Sequence, residues 1–390
     1  MRRRMRGLRR RDDTRRVVSR STMAEKPHIE IQPKTCRIPA AEREKAMSDL
    51  KFGHIFTEHM VVIPYSANRG WGTGVLKPYQ PLTLDPAASA LHYGQAIFEG
   101  FKAFRQPDGG VACFRPDANA RRFQTSAARM AMPPLPVEFF IEAADVLIRH
   151  ERDWVPSGEN ESLYVRPLMI ATEPALGVRP AQDYLFILFG SPSGNYFREG
   201  VKPVSVWVSH DYVRAAVGGT GAAKCAGNYA ASLLAQAQGL DNDCSQVVWL
   251  DAVKRENVEE LGGMNLFFVF REGSHKVLVT PELTGTLLPG ITRDSLLKLA
   301  PELGFEVQER PLSLEEWKTE AQSGHMTEAF ACGTAAVITP IGTLKDGTDD
   351  VLVMGDGKTA GPVSQRLRDA LLDIQRGRTA DTHGWMHRVC

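Results

Sequence analysis

One lysine stands apart in this 390-residue chain. Lys224 lies in GGTGAAKCAGNYAASLLAQAQ, residues 218–238, among glycines and alanines and with no acidic residue in the stretch. Two chemistries put a lysine among small residues. In a phosphate loop, G-x-x-x-x-G-K-S/T, a glycine precedes the lysine and a magnesium-binding hydroxyl follows it. Here Ala223 and Cys225 hold those positions, which disfavours an ATPase. A Schiff-base lysine instead needs clearance for a carbonyl compound and no carboxylate to hold its proton, and the stretch meets both demands. An exposed lysine on a loop that the glycines merely turn accounts for the stretch equally well.

Other segments supply what a pyridoxal phosphate would require of its protein. A phosphate group is held by backbone N–H groups at a helix start, hydroxyls and a cation. LPGITRDSLL offers such a start at Gly290, Ile291 and Thr292, and the small-residue turn CGTAAV adds the Thr334 hydroxyl and the amides of Ala335 and Ala336. A pyridine nitrogen kept protonated needs an acid, and Glu259 or Glu260 enters the apolar run LGGMNLFFVF. Tyr229, five residues after the lysine, is a donor for a phenolic oxygen. Taken singly, each has an ordinary explanation as a helix cap, hairpin turn, solvated glutamate or core tyrosine.

The elements that must position these groups read as α+β, or mixed α/β, without regular βαβ alternation. HMVVIPYS, ESLYVRPLMIATE and DYLFILFG read as strands, PDGG as a hairpin turn, and PDANARRFQTSAARMAM as a helix capped by Asp117 or Asn119. Beyond the loop SPSGNYFREG, the stretches VSVWVSH, QVVWLD, MNLFFVF and FEVQERPLS read as strands. TEAFACGTAAVITP reads as strand, loop and strand, while DSLLKLA, LEEWKTEAQSG and PVSQRLRDALLDIQRG read as helices. The division expected is a basic, disordered extension and lead-in over 1–44, a smaller domain over 45–192, an interdomain loop over 193–203 and a larger cofactor-binding domain over 204–390.

Composition narrows the class. An apolar share of 43% supports a folded body. The first 22 residues carry ten arginines against two aspartates; taking that +8 from the total of +1 leaves the remainder at −7. An acidic body opposes nucleic-acid binding. Asp12–Asp13 and the lack of an apolar face oppose a transit peptide in the tail, and Met23 is an alternative translational start. No run approaches a membrane span and no signal-peptide core precedes the body, so a cytoplasmic protein is expected. The six cysteines, Cys36, Cys113, Cys225, Cys244, Cys332 and Cys390, lack C-x-x-C spacing and read as free thiols, and no H-E-x-x-H or Cys/His cluster points to a metal.

In their order, LHYGQAIFEGFKAF, ANARR, ESLYVRP, TEPALGV, GTGAAKCAGNYAASLLAQAQ, QVVWLD, GGMNLF, LLPGITRDSL and FACGTAAV resemble the branched-chain amino-acid aminotransferases, two-domain pyridoxal-phosphate enzymes of fold type IV, and the ending IQRGRTADTHGWMHRV resembles their actinobacterial members. The resemblance implies reversible transfer of the amino group of L-leucine, L-isoleucine or L-valine to 2-oxoglutarate, through a Lys224 Schiff base. It places Glu260 at the pyridine nitrogen, Tyr229 at the phenolic oxygen, and Arg122, Ile291, Thr292 and Thr334 at the phosphate. It assigns the substrate wall to Phe52, Phe98, Tyr164 and Tyr196, with Ala335 and Ala336, and the reading of the glutamate side chain to Arg166. It has Tyr93, Leu176 and Val178 reach the site of a neighbouring subunit, hence a homodimer. Gly263 departs from the threonine of some animal members, and Ala336 and Thr339 from their C-x-x-C pair. D-amino-acid aminotransferase and aminodeoxychorismate lyase are the nearest alternatives of the same fold.

Overall fold

A computed structural model of the chain describes residues 28–194, 202–273 and 275–390. Its strands form two sheets, and the difference between them decides where the pocket lies.

The first sheet is open. Its strands run, in spatial order, Ile29–Ile31, Gly74–Pro78, His59–Ser66, Asp183–Ser193, Ser162–Ala171, Phe101–Arg105, Val111–Phe114 and Met386–Arg388. Side chains of His59–Ser66 and Asp183–Ser193 are buried on one face against the helices Pro116–Arg129 and Val137–His150, in a core that includes Val61, Ile63, Phe123, Phe140, Phe186 and Leu188. The first helix begins with Pro116 in its first turn, after Arg115 in the left-handed conformation, and has no side-chain cap. Asp117 sits in the first turn, and Asn119 donates instead to Glu99, so the expected cap is corrected: the proline and the buried acid decide the geometry. Helix Val137–His150 was not anticipated, although VEFFIEAADVLI carries its apolar residues at helical spacing.

The second sheet closes on itself. Val258–Leu261, Gln246–Leu250, Val204–Ser209, Val337–Lys345, Met326–Gly333 and Met264–Glu272 pair in turn, and the last pairs back with the first, giving a six-stranded barrel. His275–Thr280 and Glu306–Glu309 extend it beyond Met264–Glu272, and Val351–Val353 pairs with Val337–Lys345. Met264–Glu272 explains its continuous apolar run: Leu266 and Phe268 face one core, Phe267 and Val269 the other, beneath helices Ile291–Glu302 and Pro362–Gln375. Phe268 packs edge-on against Trp317 with ring centroids 4.8 Å apart, and truncating such a side chain costs about 3–5 kcal/mol. The barrel closes through a two-residue turn, Gly262–Gly263, with Gly262 at φ +56°.

Two segments differ from expectation. Residues 1–27 of the expected extension lie outside the described residues, as do 195–201 of the expected loop. The rest of the lead-in is ordered against the first sheet, which corrects its reading as disordered. Ile29–Ile31 pairs in parallel with Gly74–Pro78, Ala40–Ala46 is a helix, and Arg37 lies 3.3 Å from buried Glu58. The buried acids Glu58 and Glu151 need cations, and this segment supplies two, Arg37 and Lys34. At the other end, Met386–Arg388 leaves the barrel side and pairs with Val111–Phe114 of the first sheet. All six cysteines are free.

Candidate active site

Lys224 follows a turn that is tied down from several sides. Asn228 donates to Thr220 O and Ala223 O, Arg129 to the carbonyls of Gly218 and Gly219, and Ser126 Oγ accepts the Lys224 N–H at 2.9 Å. The Lys224 carbonyl accepts from Phe98 N, so the lysine is stitched to the first sheet. Its Nζ donates to Tyr229 Oη at 2.8 Å and lies 4.8 Å from the Phe98 ring centroid. No carboxylate among the described residues forms an ion pair with it.

The amine opens on a cavity of about 340 Å³, within the range of small-ligand sites. Phe52, Phe98, Tyr164 and Arg166 line it from the first sheet and the segment before it. Tyr229, Leu288, Ile291, Thr292, Thr334, Ala335 and Ala336 line it from the barrel side, and Arg122 from helix Pro116–Arg129. One end is built by the start of helix Ile291–Glu302, whose first N–H groups have no partner within the helix. Gly290 precedes it at φ −67°, and a Cβ there would come within 2.0 Å of Asn265 Oδ1, so a side chain would push this helix start out of place.

Arg122 points into the same end. Its Nε lies 2.7 Å from Glu99 Oε1, a second nitrogen 2.8 Å from Glu99 Oε2, and its Nη1 donates to Pro289 O at 3.1 Å. Three of five N–H groups are thereby used, and two remain for an anion. Burial pushes the Glu99 carboxyl up, but the Arg122 charge and hydrogen bonds with Asn119 outweigh it and hold it below its ordinary value of 4.5.

Glu260 is buried one layer behind the cavity wall. Its Oε1 accepts from Leu288 N at 2.7 Å and from Asn265 Nδ2 at 3.2 Å, and both partners line the cavity. Its Oε2 lies 2.9 Å from Arg214 Nε, an ion pair whose angle falls outside hydrogen-bond alignment. Burial dominates here, and the neighbouring Glu259 adds to it, pushing the carboxyl up to about 7 against Arg214 and the Leu288 N–H. Strand alternation turns Glu259 the other way, where it accepts from the Thr286 hydroxyl, so of the two glutamates only Glu260 backs the cavity.

At the opposite end the wall is aromatic. Phe52 and Tyr164 meet edge-on at 4.9 Å, and the Tyr164 hydroxyl fits only because residue 100 is glycine: a Cβ there would come within 1.7 Å of it. Arg166 stacks 4.9 Å from the Phe98 ring and 5.3 Å from Tyr164, and its Nη2 donates to Tyr164 Oη at 3.3 Å. It has no carboxylate partner among the described residues. Tyr93, Leu176 and Val178 do not line this cavity; they are exposed, joined by a hydrogen bond from Tyr93 Oη to Leu176 O. Tyr196 lies outside the described residues.

Sequence reasoning missed Glu99, Arg214, Asn265 and Leu288. Glu99 had a signal, an acid inside the apolar stretch AIFEGF that has to find a buried cation. Arg214 had none, since its partner lies 46 residues on in the chain.

The donor set fits pyridoxal phosphate: an amine facing the cavity, a helix start with an arginine that has two N–H groups to spare, and a buried carboxylate behind the wall. The comparisons agree. Residues 96–344 match the family model for amino-transferase class IV, and the chain belongs to that family. A branched-chain-amino-acid aminotransferase of Mycolicibacterium smegmatis is 57% identical over 90% of this chain and 95% of its own, and a probable one of Streptomyces coelicolor 56% over 93% and 99%. The crystal structure of the Escherichia coli branched-chain amino acid aminotransferase superposes with a TM-score of 0.70 at 30% identity, covering 86% of this chain and 100% of that one. A Thermobaculum terrenum structure in its PLP form gives 0.68 at 26%, over 86% and 99%.

Proposed function

We propose that this protein is a branched-chain amino-acid aminotransferase, moving the amino group of L-leucine, L-isoleucine or L-valine reversibly to 2-oxoglutarate with pyridoxal phosphate as cofactor. The observation that carries the reading is one cavity holding the Lys224 amine, an arginine-backed helix start, and an aromatic wall with the Arg166 guanidinium, which has no carboxylate partner among the described residues. An aliphatic side chain fits that wall, and the γ-carboxylate of glutamate finds Arg166 there.

The cofactor supplies a carbonyl for the lysine amine and a ring that takes up the electron pair left when a C–H bond breaks. In this reading Arg122, Ile291, Thr292 and Thr334 hold the phosphate, and Tyr229 Oη donates to the phenolic oxygen. Glu260 keeps a proton at the pyridine nitrogen. Lys224, displaced by the incoming amino group, takes the proton from the substrate Cα as general base and returns it on the other side of the exchange, an arrangement worth about 10²–10⁴ in rate. Ala335 and Ala336 present backbone N–H groups to the substrate carboxylate, and Phe52, Phe98 and Tyr164 exclude water from the reacting bond. Tyr196 is assigned to the same wall.

Exposed Tyr93, Leu176 and Val178 support a homodimer in which each copy completes the other's pocket. We read the two sheets as two domains, 45–192 and 204–390, with Met386–Arg388 returning to the first. Among the described residues no helix is long and apolar enough to cross a membrane, and we assign the enzyme to the cytoplasm.

Purified protein is expected to be yellow, to bleach on adding L-leucine and to ignore D-alanine, and Lys224→Ala should lose colour and turnover together. Protein that stays colourless after reconstitution, or that prefers D-alanine, sinks the proposal.

A further inference from the structure

A second, smaller cavity of about 30 Å³ shares Ala335 and Ala336 with the first, and has room for one or two water-sized groups. Its lining is cationic. Lys102, Lys202, Arg368 and Arg376 face it, against Glu159 and Glu161. Both acids are engaged elsewhere: Glu159 pairs with Arg378, and Glu161 accepts the Gly158 N–H at 3.0 Å. Lys102 and Arg376 are 8% and 6% exposed. Lys102 Nζ makes one hydrogen bond, to Ala335 O at 2.8 Å, and no carboxylate among the described residues pairs with it. Arg376 donates one nitrogen to the carbonyls of Gly158 and Glu161, and Arg368 donates to Asn160 Oδ1. The Nε–H groups of both arginines are buried without a partner among the described residues.

Arg368 has Asp369 at 3.9 Å, but Lys102 and Arg376 form no ion pair among the described residues; burying a cation without a counter-charge costs several kcal/mol, and an anion held between them relieves that cost. The site is also mechanically connected. Ala335 O is where Lys102 holds the turn from Gly333 to Val337, and Val337, a β-branched residue, sits at φ +63°, a conformation that persists only where neighbours enforce it.

We propose that this cavity binds a small monovalent anion, a halide or a carboxylate of formate size, between Lys102, Arg368 and Arg376, and that its occupancy steadies the Ala335–Ala336 wall of the active site through the Lys102 bond. Lys102 is thus a positioning residue. Burial, with Arg368 and Arg376 adding to it, pushes its ammonium down to about 7, so anion binding, which favours the charged form, weakens as pH rises above that value.

The binding half does not depend on the transaminase reading and is tested separately from it. Crystals of the cofactor-loaded protein grown in sodium bromide should show an anomalous peak against Lys102 Nζ and the Arg376 guanidinium, stronger at pH 6 than at pH 9, and formate should displace it. Water alone at the site, or an equal peak in Lys102→Met, overturns the site. For the coupling half, replacing gluconate by chloride at constant ionic strength should lower KM for 2-oxoglutarate about threefold with kcat nearly constant. That response should vanish in Lys102→Met and Arg376→Gln and survive in Lys102→Arg. An adventitious ion only, meaning bromide bound with no chloride response in the wild type, overturns the coupling. The cofactor absorption spectrum confirms that each variant is folded and loaded.

Discussion

Glu99 and Glu260 are both buried carboxylates beside an arginine, each bonded to residues that line one cavity, and they finish with opposite proton affinities. Glu99 is gripped by two aligned nitrogens of Arg122 and by Asn119, and its carboxyl falls below the ordinary range. Glu260 has a misaligned Arg214, one backbone N–H, a longer bond from Asn265, and Glu259 as its neighbour in the strand, and its carboxyl rises to about 7. Proximity of a cation is therefore not what decides. Alignment and the count of hydrogen bonds must exceed the cost of burial, and only at Glu99 do they. The contrast suits the proposed roles: the Glu99–Arg122 charge pair fixes a guanidinium at the cavity, as the proposed phosphate contact requires, while Glu260 keeps a carboxyl balanced near neutrality, as the proposed contact with a ring nitrogen requires.

The severest way to break this contrast is Glu99→Gln, which strands a buried guanidinium. A stability loss of about 3–5 kcal/mol is expected in chemical denaturation, together with weaker cofactor retention. An unchanged denaturation midpoint would show that Arg122 is held by something else. Glu260→Gln keeps the shape and removes the acid. It should leave the fold intact and lower kcat by about a hundred- to a thousandfold, with KM little changed, in steady-state assays with L-leucine. Arg166→Met removes the guanidinium of the aromatic wall, which has no carboxylate partner among the described residues, and the loss of a charged hydrogen bond of about 1.5–3 kcal/mol should raise KM for 2-oxoglutarate tenfold or more while sparing KM for leucine. An equal rise for both substrates would contradict its role as the reader of the γ-carboxylate.

The smallest effect is on stability against pH in cofactor-free protein. Glu99 has a lowered folded value, so its contribution is present above 4.5 and is lost as pH falls through that folded value. Glu260 has a raised one, so between 4.5 and about 7 the folded state keeps a proton that the unfolded chain gives up, and stability falls as pH rises through that window. Thermal melts should show Glu99→Gln flattening the acid limb and Glu260→Gln flattening the slope between pH 4.5 and 7.

Much of this arrangement was legible before any coordinates. HMVVIPYS and DYLFILFG became strands because alternating or continuous apolar runs have few other uses, and the lysine, the Pro-Gly turn and the Gly-Thr-Ala turn converge on one cavity. Position along the chain could not reveal which buried acid meets which arginine, because Arg214, in the loop after strand Val204–Ser209, reaches Glu260 only once the barrel has formed. Asn119 was misread as a cap because its real partner, Glu99, is a tertiary one. The strand Met386–Arg388 carries no apolar alternation at all, and its pairing with Val111–Phe114 is held by tertiary partners such as Asp145 for His387 and Asp108 for Arg388.

That last strand has a consequence for how the molecule is made. Val111–Phe114 is synthesised before the barrel and its edge partner after it, so the first sheet waits, one strand short, through the synthesis of the entire barrel. Contacts between such distant segments are slow to form, and an uncovered strand edge invites pairing with other chains in the meantime. Met386–Arg388 thus acts as a clasp over a nascent edge.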